Sequence, residues 1–334
     1  MRKSIVDLSW NVSEPEYRQD PAISQSLLAR YSREGFSCLS HLDEKEESDS
    51  LTFGSAVDAI ITGGMDEFES RFIVSEVPDI GDSMKNVVES AFSRFSPFGY
   101  GTLSAIPEQD FIAFLDDIGY CARMSNAKRI ERVLPSNPYY EFLFKTADKQ
   151  ILSSDMANDV SACVTMLQTS QNTTDIFGTI TNPDIERAYQ LKFKHVYNDV
   201  PFKGMLDCVI VDHANKIVYQ YDLKTSSHKE YEFYKAFEKW GYRFQACLYY
   251  KLLVDAMLSD PYYHDFTVAP FTFVVINKKS LCPLLWQYSS CTDDTEVMTL
   301  GKQIHHAIVN NLQVPEEISL TGINNIEDFI TGNK

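Results

Sequence analysis

Asp222 and Lys224 stand two residues apart in YQYDLKTSS (219–227), where an apolar segment runs out into a polar loop. In a strand, residues i and i+2 share a face, so the carboxylate and the ammonium project together from its end. An isolated surface pair of this kind contributes little. A second carboxylate alters its meaning. Asp207 lies between Leu206 and Cys208 in FKGMLDCVIVD (202–212), and a carboxylate in so apolar a run is costly unless it is paired or binds a cation. DHAN (212–215) is a tight turn that makes the two segments a hairpin. With the turn centred near Ala214–Asn215, Asp207 and Asp222 become cross-strand neighbours with Cβ atoms about 5 Å apart. Like charges that close repel, and a divalent cation between them converts the repulsion into a binding site. Lys224, on the same face, then stabilises charge developing on a phosphate or lowers the pKa of an attacking water. Gly204, just before the first carboxylate, suits a close backbone approach to a ligand.

The elements that must position these groups follow from periodicity. Strand patterns occupy 188–197, 202–212 and 216–225, then 266–279 and 284–290. Between them, 229–258 reads as one long helix. On it Tyr242, Gln245 and Tyr249 lie at i, i+3 and i+7 on one face, with Trp240 and Arg243 nearby. An apolar stripe at that spacing is ordinary core, but a buried Gln245 amide needs partners. It either holds Lys224 or contacts a phosphate. Upstream, 21–42 and 51–64 read as helices, the second ended by two glycines, around a charge run at 43–50 that reads as a solvated loop. Residues 80–175 are helix-rich, with a Gly/Pro/Ser loop at 96–107. A last helix at 293–311 precedes a polar tail. The expected fold is an α/β core with a helical amino-terminal elaboration: a helix-rich region over 1–175 and the core over 176–334.

Across 334 residues, 44% are hydrophobic and 13% aromatic, ample for a packed core and unlike a disordered chain. No apolar run approaches the roughly 20 residues that span a bilayer. The start of the chain lacks the apolar centre of a signal peptide, so a cytoplasmic protein is expected. Seven cysteines scattered singly, with no CxxC pair, argue against a disulfide framework, a zinc ribbon or an iron–sulfur cluster. The net charge of −17 runs against phosphate binding, yet it is unevenly spread. Arg187 to Lys251 holds 11 Lys and Arg against 7 Asp and Glu, and the Asp-x-Lys pair lies inside this basic stretch.

GMLDCVIVDHANKIVYQYDLKTSS followed by WGYRFQACLYY resembles the PD-(D/E)XK nuclease superfamily, in its RecB-type branch, and most of all the RecE or exonuclease VIII-like phage exonucleases. The shared pattern is G-x-x-D, a spacer, D-x-K-T, then a helix with Y-x-x-Q-x-x-x-Y, and it covers about 186–250. A softer likeness extends to ISQSLLARY and FGSAVDAI near the amino terminus.

The resemblance implies a restriction-endonuclease-like core, a small central mixed sheet flanked by helices, and a Mg²⁺-dependent phosphodiesterase in which Mn²⁺ can substitute. Asp207, Asp222 and the Leu223 carbonyl would be metal ligands, Lys224 the catalytic lysine, and Gln245 with Tyr242 the supporting helix pair. Asp58, where many members carry a histidine, and Glu186, ahead of the sheet, are further candidate ligands. Tyr242, Arg243 and Lys203 are candidate substrate contacts. The expected substrate is DNA, chiefly double-stranded ends processed for recombination, in a bacterial or phage-infected cytoplasm, with a homo-oligomer and a single-strand annealing protein as partners. A structure-specific endonuclease with the same site, and an acidic DNA mimic without catalysis, remain open alternatives.

Overall fold

The computed structural model describes residues 2–41, 48–310 and 312; most of the charge run at 43–50 and the polar tail fall outside the described residues. The chain divides into two compact units, Met1–Gly63 with Val160–Lys334, and Gly64–Asp159. This differs from a boundary near residue 175, because the second unit is an insertion that begins inside a helix. Helices α1 (Glu14–Gln19), α2 (Gln25–Glu34) and α3 (Asp49–Arg71) come first. The two glycines expected to stop α3 instead kink it: Gly64 adopts φ 76° and ψ −166°, open to a residue without Cβ, and helix resumes beyond it.

The inserted unit holds β1 (Phe72–Val74), α4 (Asp82–Phe95), α5 (Glu108–Asp117), α6 (Asn126–Val133), α7 (Asn137–Thr146) and β2 (Gln150–Leu152). Val88, Ala91, Phe95, Phe114 and Tyr140 form its core, and the loop at 96–107 contributes Leu103 and Ile106 to it. The short parallel pair β1–β2 was not expected, since three residues per strand carry no readable alternation.

Then follow α8 (Ser154–Thr169), α9 (Thr174–Phe177), β3 (Ile185–Tyr197), β4 (Val200–Asp212), β5 (Ile217–Ser226), α10 (Phe233–Lys239), α11 (Tyr242–Leu258), β6 (Thr267–Val268), β7 (Phe271–Asn277), β8 (Pro283–Tyr288) and α12 (Thr295–Val309). The larger unit is mixed α/β. Its sheet runs β3-β4-β5-β7-β8, with β6 beside β5. A two-residue turn, Asn198-Asp199 at φ 49° and 66°, joins β3 to β4, the left-handed pair that matches the twist of a hairpin. β5 and β7 are parallel, so a crossover must join them, and α10 and α11 supply it. The expected single helix over 229–258 is two helices. Gly241 at φ 62° separates them, and the Phe244 ring lies 2.8 Å from where a Cβ would stand. Pro270, which has no N–H to give a ladder, likewise separates β6 from β7 within the expected strand 266–279. Phe244, Leu248 and Leu252 of α11 pack in one core with Val209, Val211, Phe271 and Phe273 of the sheet.

One irregularity in that sheet positions the site. Ala188 and Leu191 share this core, as do Leu206 and Val209, although an odd spacing puts two residues of a regular strand on opposite faces. Both strands change phase at the same level, between the pairs Tyr189↔Cys208 and Leu191↔Leu206, where Gln190 takes φ 51°. The β4–β5 ladder also stops there, running from Asp212↔Ile217 to Cys208↔Tyr221. Beyond it β4 turns to another partner: Ile23 N–H donates to Pro201 O and Lys203 N–H to Ile23 O, each at 2.9 Å. β4 and β5 therefore part company at Asp207.

Candidate active site

Asp207 sits at this fork, one position past the last ladder pair, where regular pairing would set it against Asp222. Its Oδ2 accepts the Leu223 N–H at 3.0 Å, so a side chain takes a donor that a continuing ladder would have given to backbone. Burial drives the Asp207 carboxyl well above the usual carboxylate range, and the charge of Asp222 adds to the effect. Lys224 opposes it, Asp58 adds again, and the Leu223 hydrogen bond opposes. The two carboxylates thus interact across the fork.

Asp222 is almost fully buried, at 1% exposure. Gln245 Nε2 of α11 donates to its Oδ1, and Lys224 Nζ forms an ion pair with its Oδ2. Burial pulls the Lys224 pKa down, but electrostatic interactions with Asp222, Tyr242 and Asp207, and the hydrogen bond to Asp222, more than reverse this, so the ammonium stays charged. The Tyr242 ring lies 5.0 Å from Nζ and stacks on Phe273 at 5.6 Å, which fixes the wall against which Lys224 rests. Of the two roles open to Gln245, the structure gives neither: the amide grips Asp222, not Lys224 or an open surface. Tyr249 is core, packed beside Gly204, where a Cβ would lie 2.8 Å from its ring.

Helix α3 closes the other side. Gly54 passes close to the end of β5, with the Thr225 hydroxyl 3.1 Å from its Cβ position. One turn later stands Asp58, close enough for its charge to raise the Asp207 pKa. Gln190 Nε2 donates to Asp58 Oδ2 at 3.3 Å and to the Thr62 hydroxyl at 3.1 Å. Sequence reasoning missed Gln190. Its signal was present, in the slip of apolar phase between Ala188 and Leu191 in AYQLKF.

Three candidates do not join this group. Glu186 pairs with Val211 far along the hairpin, and its carboxylate accepts from the Ser4 hydroxyl at 2.5 Å and Ile5 N–H at 3.1 Å, with His213 Nε2 at 2.9 Å. It ties the amino terminus to the sheet. Lys203 is buried, and its ammonium donates to the Tyr17 and Asp20 carbonyls at 2.6 Å, capping the end of α1. Arg243 grips both carboxylate oxygens of Glu296, at 2.9 and 3.0 Å. Each is held by partners distant in the sequence.

Among the described residues, no three His, Cys, Asp or Glu side chains close into a ready-made metal cage. The donor set is narrower: Asp207, whose carboxyl is pushed up by burial and by the charges of Asp222 and Asp58, and Asp222 facing it across the fork. Beyond its ion pair, Asp222 Oδ2 has no hydrogen-bond partner, and neither has the buried Gln245 Oε1. Oxygen donors pressed together and short of partners are the chemistry a hard divalent cation satisfies, so the residues fit such an ion. No helix of the described residues is long and apolar enough to cross a membrane.

No protein-family model matches the chain, and no curated protein matches it. Among solved structures, a crystal structure from Eubacterium rectale named "Putative exonuclease" is similar over 95% of this chain and 99% of its own, at 10% identity and a TM-score of 0.47.

Proposed function

We propose that this chain is a metal-dependent deoxyribonuclease with a restriction-endonuclease-like core, an exonuclease that hydrolyses phosphodiester bonds at double-stranded DNA ends in recombination or repair. The observation that carries the reading is the gathering of Asp207, Asp222 and Lys224 at the fork of β4 and β5, with Asp58 brought in from α3. Asp207, Asp222 and the Leu223 carbonyl would hold Mg²⁺ or Mn²⁺, assisted by Asp58. When bound, the ion supplies Lewis acidity and an activated water. The rest falls to the chain. Gln245 holds Asp222 in one orientation, and Tyr242 confines Lys224. Lys224, kept charged by both carboxylates, meets the negative charge that builds on the scissile phosphate. Such an enzyme would work in the cytoplasm.

The test is purified protein with end-labelled linear duplex and Mg²⁺, beside covalently closed circles, a chelator control and Lys224→Ala. Loss of label from linear DNA alone, absent with chelator or in the variant, is the expected result. Cutting of closed circles would assign an endonuclease instead. Activity that survives Lys224→Ala would refute the site.

A further inference from the structure

Just past the catalytic strand the surface changes character. The 3-10 turn Glu230–Glu232 and α10 bury Phe233, Ala236 and Phe237 inward. Their outer face carries Tyr231 and Tyr234, three residues apart and 70% and 51% exposed. Exposed aromatic side chains one turn apart, rimmed by polar residues, are the kind of surface that marks an interaction site. Their faces are already visited by cations, Lys229 lying 5.8 Å from the Tyr231 ring and Lys235 6.0 Å from that of Tyr234.

The neighbouring charges are arranged for an anion. Ser226 pairs with Asn277, whose Nδ2 donates to the His228 carbonyl at 2.6 Å, so the chain leaving β5 runs beside the turn after β7. That sets the segment carrying Lys229 next to the turn that carries Lys278 and Lys279, where the Lys278 ammonium lies 5.7 Å from the Phe53 ring of α3. None of the three forms an ion pair within 4.0 Å among the described residues, whereas Glu230 is taken up by the Ser280 hydroxyl and Glu232 by Lys235. Lys224 lies two residues before Ser226 on the same strand, about 7 Å away.

We propose that Tyr231 and Tyr234, with Lys229, Lys278 and Lys279, form a stacking platform for single-stranded nucleic acid beside the active site. The choice of occupant rests on the nuclease reading above. Rings stack on bases of any sequence while the lysines meet the phosphates between them. The platform then holds the strand that leaves or enters the cutting position.

The experiment is fluorescence anisotropy of the full chain with a labelled oligothymidylate in chelator, where no cutting occurs. Tyr231→Ala/Tyr234→Ala is expected to weaken binding at least about tenfold, and Tyr231→Phe/Tyr234→Phe to stay within about twofold, because stacking needs the ring and not the hydroxyl. Lys278→Gln/Lys279→Gln should lower the slope of log affinity against log salt by about 1.4. Melting of the tyrosine variants should match the wild type, since both rings are exposed. An unchanged affinity in the alanine variant, an equal loss in the phenylalanine variant, or no affinity for any oligonucleotide, which would leave the face to a protein partner, would overturn the proposal. A chain that binds through these tyrosines but never cuts refutes the nuclease reading alone. One that cuts yet binds equally after both alanine changes refutes the platform alone.

Discussion

Asp207→Asn separates a carboxylate poised for a cation from one that stabilises the fold. The amide oxygen still accepts the Leu223 N–H, so the hydrogen bond is kept and only the charge is lost. In the wild type, burial first and then the Asp222 charge raise the Asp207 pKa, with Asp58 adding and Lys224 opposing. A raised folded-state pKa means that stability from this group is fully present below the unfolded value, near about 4, and is lost as pH climbs toward the folded value. Across that window the slope is about 1.4 kcal/mol per pH unit. Asn has no such slope. Scanning calorimetry in chelator should find wild type and variant melting together near about pH 4, with the variant higher by a growing margin of several degrees as pH rises. Mg²⁺ should raise the wild type and leave the variant unmoved, and the variant should not cut DNA. A variant less stable than wild type at neutral pH without metal, or a gap indifferent to pH, would show that Asp207 is a structural anchor.

Lys224→Ala should abolish cleavage while calorimetry still detects divalent-cation binding, and Ca²⁺ should bind the wild type without supporting turnover. Gln245→Leu removes the amide that orients Asp222 and should raise the Mg²⁺ needed for half-maximal cleavage by about 10–100-fold. Lys203→Met takes the donor from the Tyr17, Arg18 and Asp20 carbonyls and should cost about 1–3 kcal/mol in urea denaturation, with DNA affinity unchanged. Gly301→Ala puts a Cβ 2.2 Å from the ring of the buried Phe202 and should lower the unfolding free energy measured in urea by a similar amount, about 1–3 kcal/mol.

The sequence by itself determined whatever depends on local spacing. Alternation located β3, β4 and β5, and the turn at 212–215 set the register that brings Cys208 opposite Tyr221. The two-residue interval put Asp222 and Lys224 on one face, and the polar residue in an apolar helix marked Gln245. Strand and helix periods dictate such directions regardless of the rest of the chain. Only the tertiary structure decided that β4 deserts β5 for Ile23 at the level of Asp207, that Gln190 binds Asp58, whose charge acts on Asp207, and that Gln245 holds Asp222. It alone removed Glu186, Lys203 and Arg243 from the site, by giving each a partner far away in the chain. A charged side chain carries no mark of which distant group will neutralise it, and that choice is made when the whole core packs.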